Sequence, residues 1–402
     1  MSSSGFSPPR LARLRQAMAA HLESGELPGI ATLVGRGEER HVETLGVKAF
    51  GGGDAMRRDT IFRIASMTKP ITAVAALILV EECKLRLDEP VDRLLPELAN
   101  RRVLKRIDGP LEDTVPARRP ITLRDLLTFR MGFGMTIGPP NATPIQKALT
   151  EAGIMGLRPS PPYSPDEWIR RLGTLPLMHQ PGERWQYHTG SDVLGVLIAR
   201  ASGQPFDRFL AQRIFEPLGM KDTAFHVPAH KLERLASCYQ SNPESGAVEL
   251  LDEPRETTWA RPPSFPAGGG GLVSTLDDYY AFGRMLLQGG RCGSERILAR
   301  PTVEAMTSDQ LTSQQRAEAH WFTPDYFDSH GWGFGVATVI KRFSTAASVG
   351  QFGWGGAFGT TWFCDPREDL VAVLMIQRMA LAPSPADIRQ DFAVSVYQAI
   401  DD

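Results

Sequence analysis

An excess of either charge is missing from this chain. Its 402 residues carry 44 Lys and Arg against 46 Asp and Glu, a formal net charge of −2. With no surplus of cations to neutralise a phosphate backbone, nucleic acid is not expected as a partner. Cysteine is scarce as well: Cys83, Cys238, Cys292 and Cys364 lie far apart, without a C-x-x-C pair or a neighbouring histidine. This excludes a disulfide framework and a zinc cage, and the four are read as reduced, structural thiols. Long hydrophobic runs are absent. The longest, Ile71 to Val80, spans ten residues, against the roughly twenty that cross a bilayer, so it belongs in a core and no membrane partner is expected. Met1 to Glu23 has no uninterrupted apolar stretch of the kind a secretory signal needs, which points to a cytoplasmic location.

Glycine and proline are plentiful, at 38 and 31. They cluster at Gly51–Gly53, Pro139-Pro140, Pro159 to Pro162, Pro262-Pro263, Gly268–Gly271 and Gly350 to Gly359. Such clusters predict long structured loops around a scaffold. Leu11, Leu14, Met18 and Leu22 recur at helical spacing and predict an amphipathic first helix. Ile30 to Val34 and Val42 to Val47 flank a polar turn and predict a hairpin. A strong helical segment follows from Ser66 to about Lys84. Asp88 to Ala260 shows helical fragments joined by proline-rich connections and no strong alternating strands. After Gly268–Gly271 come a helix from Leu276 to Gln288, another near Pro301 to Ser308, and strand-like runs at Gly333 to Ile340, Ser348 to Phe352, Thr360 to Cys364 and Leu370 to Gln377. A last helix is expected from Pro385 to Ile400. The two ends of the chain then share an antiparallel sheet, giving an α/β part over 1–87 and 261–402 and a mostly helical part over 88–260.

Three constellations could carry chemistry. Ser66-Met67-Thr68-Lys69 is an S-x-x-K pattern; residues three apart share a helix face, so the Lys69 amine can reach the Ser66 hydroxyl. Pro70 is tolerated only near a helix start, which puts Ser66 at the positive end of the helix. By itself the pattern is weak, because on the order of one S-x-x-K occurs by chance in a chain of this length; an N-cap serine with a solvent lysine would look the same. Tyr187, in Trp185-Gln186-Tyr187-His188-Thr189, could share proton traffic with Lys69, although most tyrosines are simply packed aromatics with a satisfied hydroxyl. Gly353-Trp354-Gly355-Gly356-Ala357-Phe358-Gly359 lies between two predicted strands. Its glycines would let a substrate lie along a strand edge, and the Ala357 N–H would be a second oxyanion donor beside that of Ser66. A glycine-rich turn with a packed tryptophan is the plainer reading.

Taken in order, the three motifs resemble the serine β-lactamase and penicillin-binding protein superfamily. Phe62 to Ala73, Leu87 to Val91, Ile121 to Thr128, Ile214 to Thr223 and Gly269 to Thr275 are similar to class C β-lactamase-like hydrolases over nearly the whole chain. The resemblance implies an α/β (α+β) β-lactamase/transpeptidase-like fold, with a central antiparallel sheet flanked by helices and a mostly helical inserted domain. It implies Ser66, Lys69 and Tyr187 as catalytic residues, with backbone N–H groups of Ser66 and Ala357 as the oxyanion hole and no metal or cofactor.

Two departures bear on the activity. Where β-lactam-processing relatives begin the third motif with Lys or His, this chain has Trp354, and the usual Tyr-x-Asn reads Tyr187-His188-Thr189. Trp354-Gly355-Gly356, with Asp192 five residues after Tyr187, looks instead like family VIII carboxylesterases and related acyltransferases. The expected substrate is therefore a small uncharged ester. Trp354, Gly355, Gly356, His188, Met131 and Phe133 are expected to line its pocket, with Met131 and Phe133 on a wall whose sequence departs from that of relatives. A β-lactamase, a D-Ala-D-Ala peptidase or an acyltransferase is the alternative within the same chemistry, and a non-catalytic binding module is the alternative outside it. Self-association into a homo-oligomer is compatible with the sequence.

Overall fold

The computed structural model describes residues 5–136, 141–154, 161–242, 244–319, 322–379 and 387–401. Pro139-Pro140, Pro159-Ser160 and the expected start of the last helix at Pro385 lie outside them. The scaffold is a seven-stranded sheet built from both ends of the chain. Its strands are β1 (Gly29–Arg36), β2 (Glu39–Gly46), β3 (His330–Trp332), β4 (Ala337–Val339), β5 (Phe352–Gly355), β6 (Thr361–Asp365) and β7 (Leu370–Met375). The order is β3-β4-β5-β6-β7-β1-β2, and every neighbouring pair is antiparallel.

Side chains alternate across a strand, and β7 is buried on both faces for that reason. Leu370, Ala372 and Leu374 pack with α1 (Pro8–Glu23) and the C-terminal helix. Val371, Val373 and Met375 face the main core. That core holds α2 (Thr68–Glu81), α3 (Thr189–Ser202) and α4 (Leu276–Leu287). Every residue of α2 from Thr68 to Leu79 is buried, as expected of a helix apolar all round. The last helix, α5 (Ile388–Gln398), closes the other face beside α1.

Three expectations are corrected. The run Gly333 to Ile340 is strand only at Ala337–Val339, in β4; it begins in the turn that follows β3, where Gly335 has φ +75°. A Cβ there would stand 2.7 Å from that of Ala73 and 3.1 Å from the Lys69 carbonyl, so the turn packs directly on the helix that carries Lys69. The run Ser348 to Phe352 becomes strand only at Phe352, and Trp354 lies inside β5 opposite Trp362. The stretch 88–260 is helical at 123–127, 144–152, 165–174 and 206–210 as well as α3, but it also holds two hairpins. Arg102–Leu104 pairs with Thr114–Pro116, and Cys238–Ser241 pairs with Val248–Asp252 and with Arg378–Met379. These strands of three to five residues are too short for alternation to register.

All four cysteines are unpaired. Among the described residues no helix is long and apolar enough to cross a membrane.

Candidate active site

Ser66 is held by the segment before it. Phe62–Arg63 pairs with Val273–Ser274, and the buried Arg63 guanidinium bonds the Ala236 carbonyl, Gln377 Oε1 and Asp252. Ala65 then turns the chain at φ +43° into a short 3-10 turn, Ala65–Met67, that runs on into α2. Lys69 follows one turn later, fully buried, with Nζ 3.0 Å from Ser66 Oγ. Its other neighbours are His188 Nδ1, at 3.2 Å, and the Gly269 carbonyl.

The tetraglycine run that marks a change of character in the sequence turns out to line this network. A Cβ on Gly268 would stand 2.3 Å from the Ser191 carbonyl, and one on Gly269 would stand 2.9 Å from Asp192 Oδ1. Only glycine lets this backbone lie against the start of α3. Gly269 N–H donates to Asp192 Oδ1 at 2.7 Å, and Asp192 Oδ2 lies 3.2 Å from His188 Nε2. Spacing singled out Asp192 but gave it no role, and Gly269 carried no site signal at all.

Tyr187 is buried and hydrogen-bonded to Ser66, and its hydroxyl accepts from the Trp354 indole Nε1–H at 2.6 Å. The Lys69 ammonium position is 4.6 Å from the Tyr187 ring centre. Burial acts on the two groups in opposite senses, because it disfavours whichever form is charged. It lowers the Lys69 pKa to about 7, against the pull of Asp192. It raises that of Tyr187 far above the usual phenol value, outweighing the hydrogen bonds to Ser66 and Trp354. Near neutral pH, then, Lys69 can hold a free lone pair while Tyr187 keeps its proton.

Ser66 and Ala357 both line a cavity of about 840 Å³, and neither backbone N–H donates to another described residue. Gly356 sets their separation. A Cβ at Gly356 would lie 2.3 Å from the Ile64 carbonyl and 2.4 Å from Thr360 Oγ1. Gly356 thus lets the Ala357 loop approach the Ser66 segment, and Gly355 and Gly356 both line the cavity.

Aromatic side chains make up one side of the cavity. Trp354 meets Trp332 edge-on at 4.7 Å and stacks with Phe322 at 6.1 Å, and Met135, Tyr326 and Phe343 also face the space. Met131 and Phe133 do not. Both are fully buried in the main core, because the loop that carries them pairs along the Tyr187 segment, with Met135 N–H donating to the Tyr187 carbonyl. Of that loop, Met135 reaches the cavity. His188 is not a lining residue either, since its ring points back to Lys69 and Asp192.

The family model described as Beta-lactamase matches residues 14–395. The chain belongs to the beta-lactamase family. Protein Rv1367c of Mycobacterium tuberculosis is 38% identical over 363 residues, covering 88% of this chain and 87% of its own length. Esterase EstB of Burkholderia gladioli is 32% identical over 386 residues, covering 90% and 89%. Among solved structures, EstCE1, described as a hydrolase with promiscuous acyltransferase activity, superposes with a TM-score of 0.81 at 24% identity, covering 96% of this chain and 98% of its own. That last likeness concerns the fold.

Position 354 alone points to a cavity without a cation, yet Arg389, from the first turn of α5, lines it. Its Nη2 donates to the Gly356 carbonyl at 2.7 Å, and it forms no ion pair among the described residues. An arginine in a predicted terminal helix gives no sequence signal for this position.

Proposed function

We propose that this member of the beta-lactamase family is a serine carboxylesterase acting on short- to medium-chain acyl esters. The observation that carries the reading is Ser66 at the cavity wall, 3.0 Å from a buried Lys69 whose pKa lies at about 7. The neutral amine takes the Ser66 proton as Oγ attacks the ester carbonyl. The N–H groups of Ser66 and Ala357 receive the oxyanion. Collapse breaks the C–O bond, and the alkoxide leaves with a proton passed from Tyr187, which the Lys69 ammonium makes good. Water then enters by the same route and releases the acid and Ser66. The esterase relatives and the aromatic wall beside Trp354 support an ester over a peptide.

Ser66→Ala is expected to abolish turnover of p-nitrophenyl butyrate, and a fluorophosphonate is expected to label Ser66 in the wild-type protein. Turnover retained by Ser66→Ala would refute the assignment.

Arg389 favours a second reading of the substrate. A cavity-lining guanidinium that forms no ion pair among the described residues, with the Asp387 carboxylate acting on it from the same wall, suits an ester, or a β-lactam, that carries its own acid group. Comparing p-nitrophenyl butyrate, a mono-p-nitrophenyl dicarboxylate and nitrocefin ranks the readings. A clear kcat/KM preference for an anionic substrate that falls in Arg389→Gln would replace the neutral ester. Transfer to an added alcohol that outruns hydrolysis would make the protein an acyltransferase.

A further inference from the structure

His188 has an uncommon backbone. Its φ is +87° and ψ −68°, and Thr189 N–H closes a three-residue turn onto the Tyr187 carbonyl at 3.3 Å. This is the rare, strained form of γ-turn, and a non-glycine residue is held there only against backbone strain. Glycine would fit the same backbone without that strain, so a histidine at this point has to be accounted for by its ring.

The ring is wired at both ends. Nε2 lies 3.2 Å from Asp192 Oδ2, and Nδ1 lies 3.2 Å from Lys69 Nζ. A carboxylate only accepts, so it fixes the proton on Nε2 and leaves Nδ1 as an acceptor. Asp192 also holds Gly269 through its N–H, and the Gly269 carbonyl faces Lys69. The two acceptors that meet the Lys69 amine, His188 Nδ1 and the Gly269 carbonyl, are therefore both set by one carboxylate. A neutral amine has two N–H donors and one lone pair. With both donors engaged there, the lone pair is left to point at its remaining neighbour, Ser66 Oγ.

We propose that His188, fixed in one tautomer by Asp192, is a positioning residue that aims the Lys69 lone pair at Ser66. This rests on the reading of Ser66 and Lys69 as nucleophile and base. The ionisable groups facing His188 are Lys69 and Asp192, with Tyr187 beside Lys69. Burial and the Lys69 charge both lower the His188 pKa, which keeps the ring neutral and Nδ1 open.

The test measures kcat, KM, pH dependence and Tm with p-nitrophenyl butyrate for His188→Leu, His188→Asn, His188→Gly and Asp192→Asn. A general base contributes roughly 10²- to 10⁴-fold, and misaiming it is expected to lower kcat about 10²-fold in His188→Leu, with KM within about threefold. His188→Asn, whose Oδ1 can stand where Nδ1 does, is expected to recover kcat to within about tenfold of wild type. His188→Gly relieves the backbone strain, so it is expected to unfold no earlier than His188→Leu while remaining as slow. In Asp192→Asn the acid limb of kcat/KM is expected to move to lower pH, since the Asp192 charge holds the Lys69 pKa up. Wild-type kcat in His188→Leu or His188→Gly overturns the proposal, as does His188→Asn no faster than His188→Leu. If Ser66→Ala and Lys69→Met stay active, the underlying reading has failed; if they are inactive while His188→Leu is not, only the positioning role has.

Discussion

Replacing Trp354 with Phe separates the two roles that Tyr187 could play. The substitution keeps an aromatic ring against Trp332 and Phe322 but removes the indole N–H that donates to the Tyr187 hydroxyl at 2.6 Å. A hydrogen bond to a neutral group is worth about 0.5–1.5 kcal/mol and one to a charged group about 1.5–3 kcal/mol. Tyr187 starts as a phenol because burial pushes its pKa up, and it gains phenolate character as it protonates the departing alkoxide. The Trp354 bond thus strengthens by about 1–1.5 kcal/mol on the way to the transition state, and its loss should slow the reaction about 5- to 13-fold. The assay is kcat and KM for p-nitrophenyl butyrate and for an alkyl ester with a poorer leaving group, alongside a melting curve to establish that the variant is folded. The alkyl ester should lose more, because its alkoxide needs the proton more. Had Tyr187 instead been the resting phenolate base, the bond would weaken toward the transition state, and its removal would leave kcat unchanged or raise it. An unchanged or increased kcat in a folded Trp354→Phe protein refutes the reasoning.

Ionisation of Lys69 should appear in both rate and stability. kcat/KM for a neutral ester is expected to rise with pH through about 7, the Lys69 pKa, as the free amine forms. Since burial depresses that pKa in the folded state, the unfolded chain binds more protons between about 7 and the ordinary lysine value of 10.5. The unfolding free energy therefore rises with pH across this window, with no Lys69 contribution to the slope below it. Lys69→Met should lose that slope in denaturant titrations at pH 7 to 10, and a slope identical to wild type would contradict a neutral, buried Lys69. Gly356→Ala forces a Cβ onto the Ile64 carbonyl; a loss of stability of about 1–3 kcal/mol is expected, together with a fall in kcat at nearly constant KM. An unchanged kcat would show that the Ala357 N–H does not serve the oxyanion.

The fold was legible where its elements are long and periodic. The first helix, the β1–β2 hairpin, the helix after Ser66 and the Leu276 helix read directly from their apolar spacing. The short hairpins at 102–116 and 238–252 were not, because strands of three to five residues leave no period to detect. Neither were Met131 and Phe133, since apolar residues on a loop can face a core or a cavity with the same sequence.

The sequence by itself determined the nucleophile pattern. Ser66 and Lys69 are three residues apart, and helix geometry brings them together whatever the surroundings. It also determined the order of the Tyr187 and Trp354 motifs, which carries the resemblance. Only tertiary structure decided what those groups are chemically. The depth of burial that lowers the Lys69 pKa, the Trp354 bond to Tyr187, the Asp192 and His188 contacts behind Lys69, and the arrival of Arg389 from α5 each join residues scores to hundreds of positions apart. Their distances and dielectric surroundings exist only once the sheet has closed around both ends of the chain.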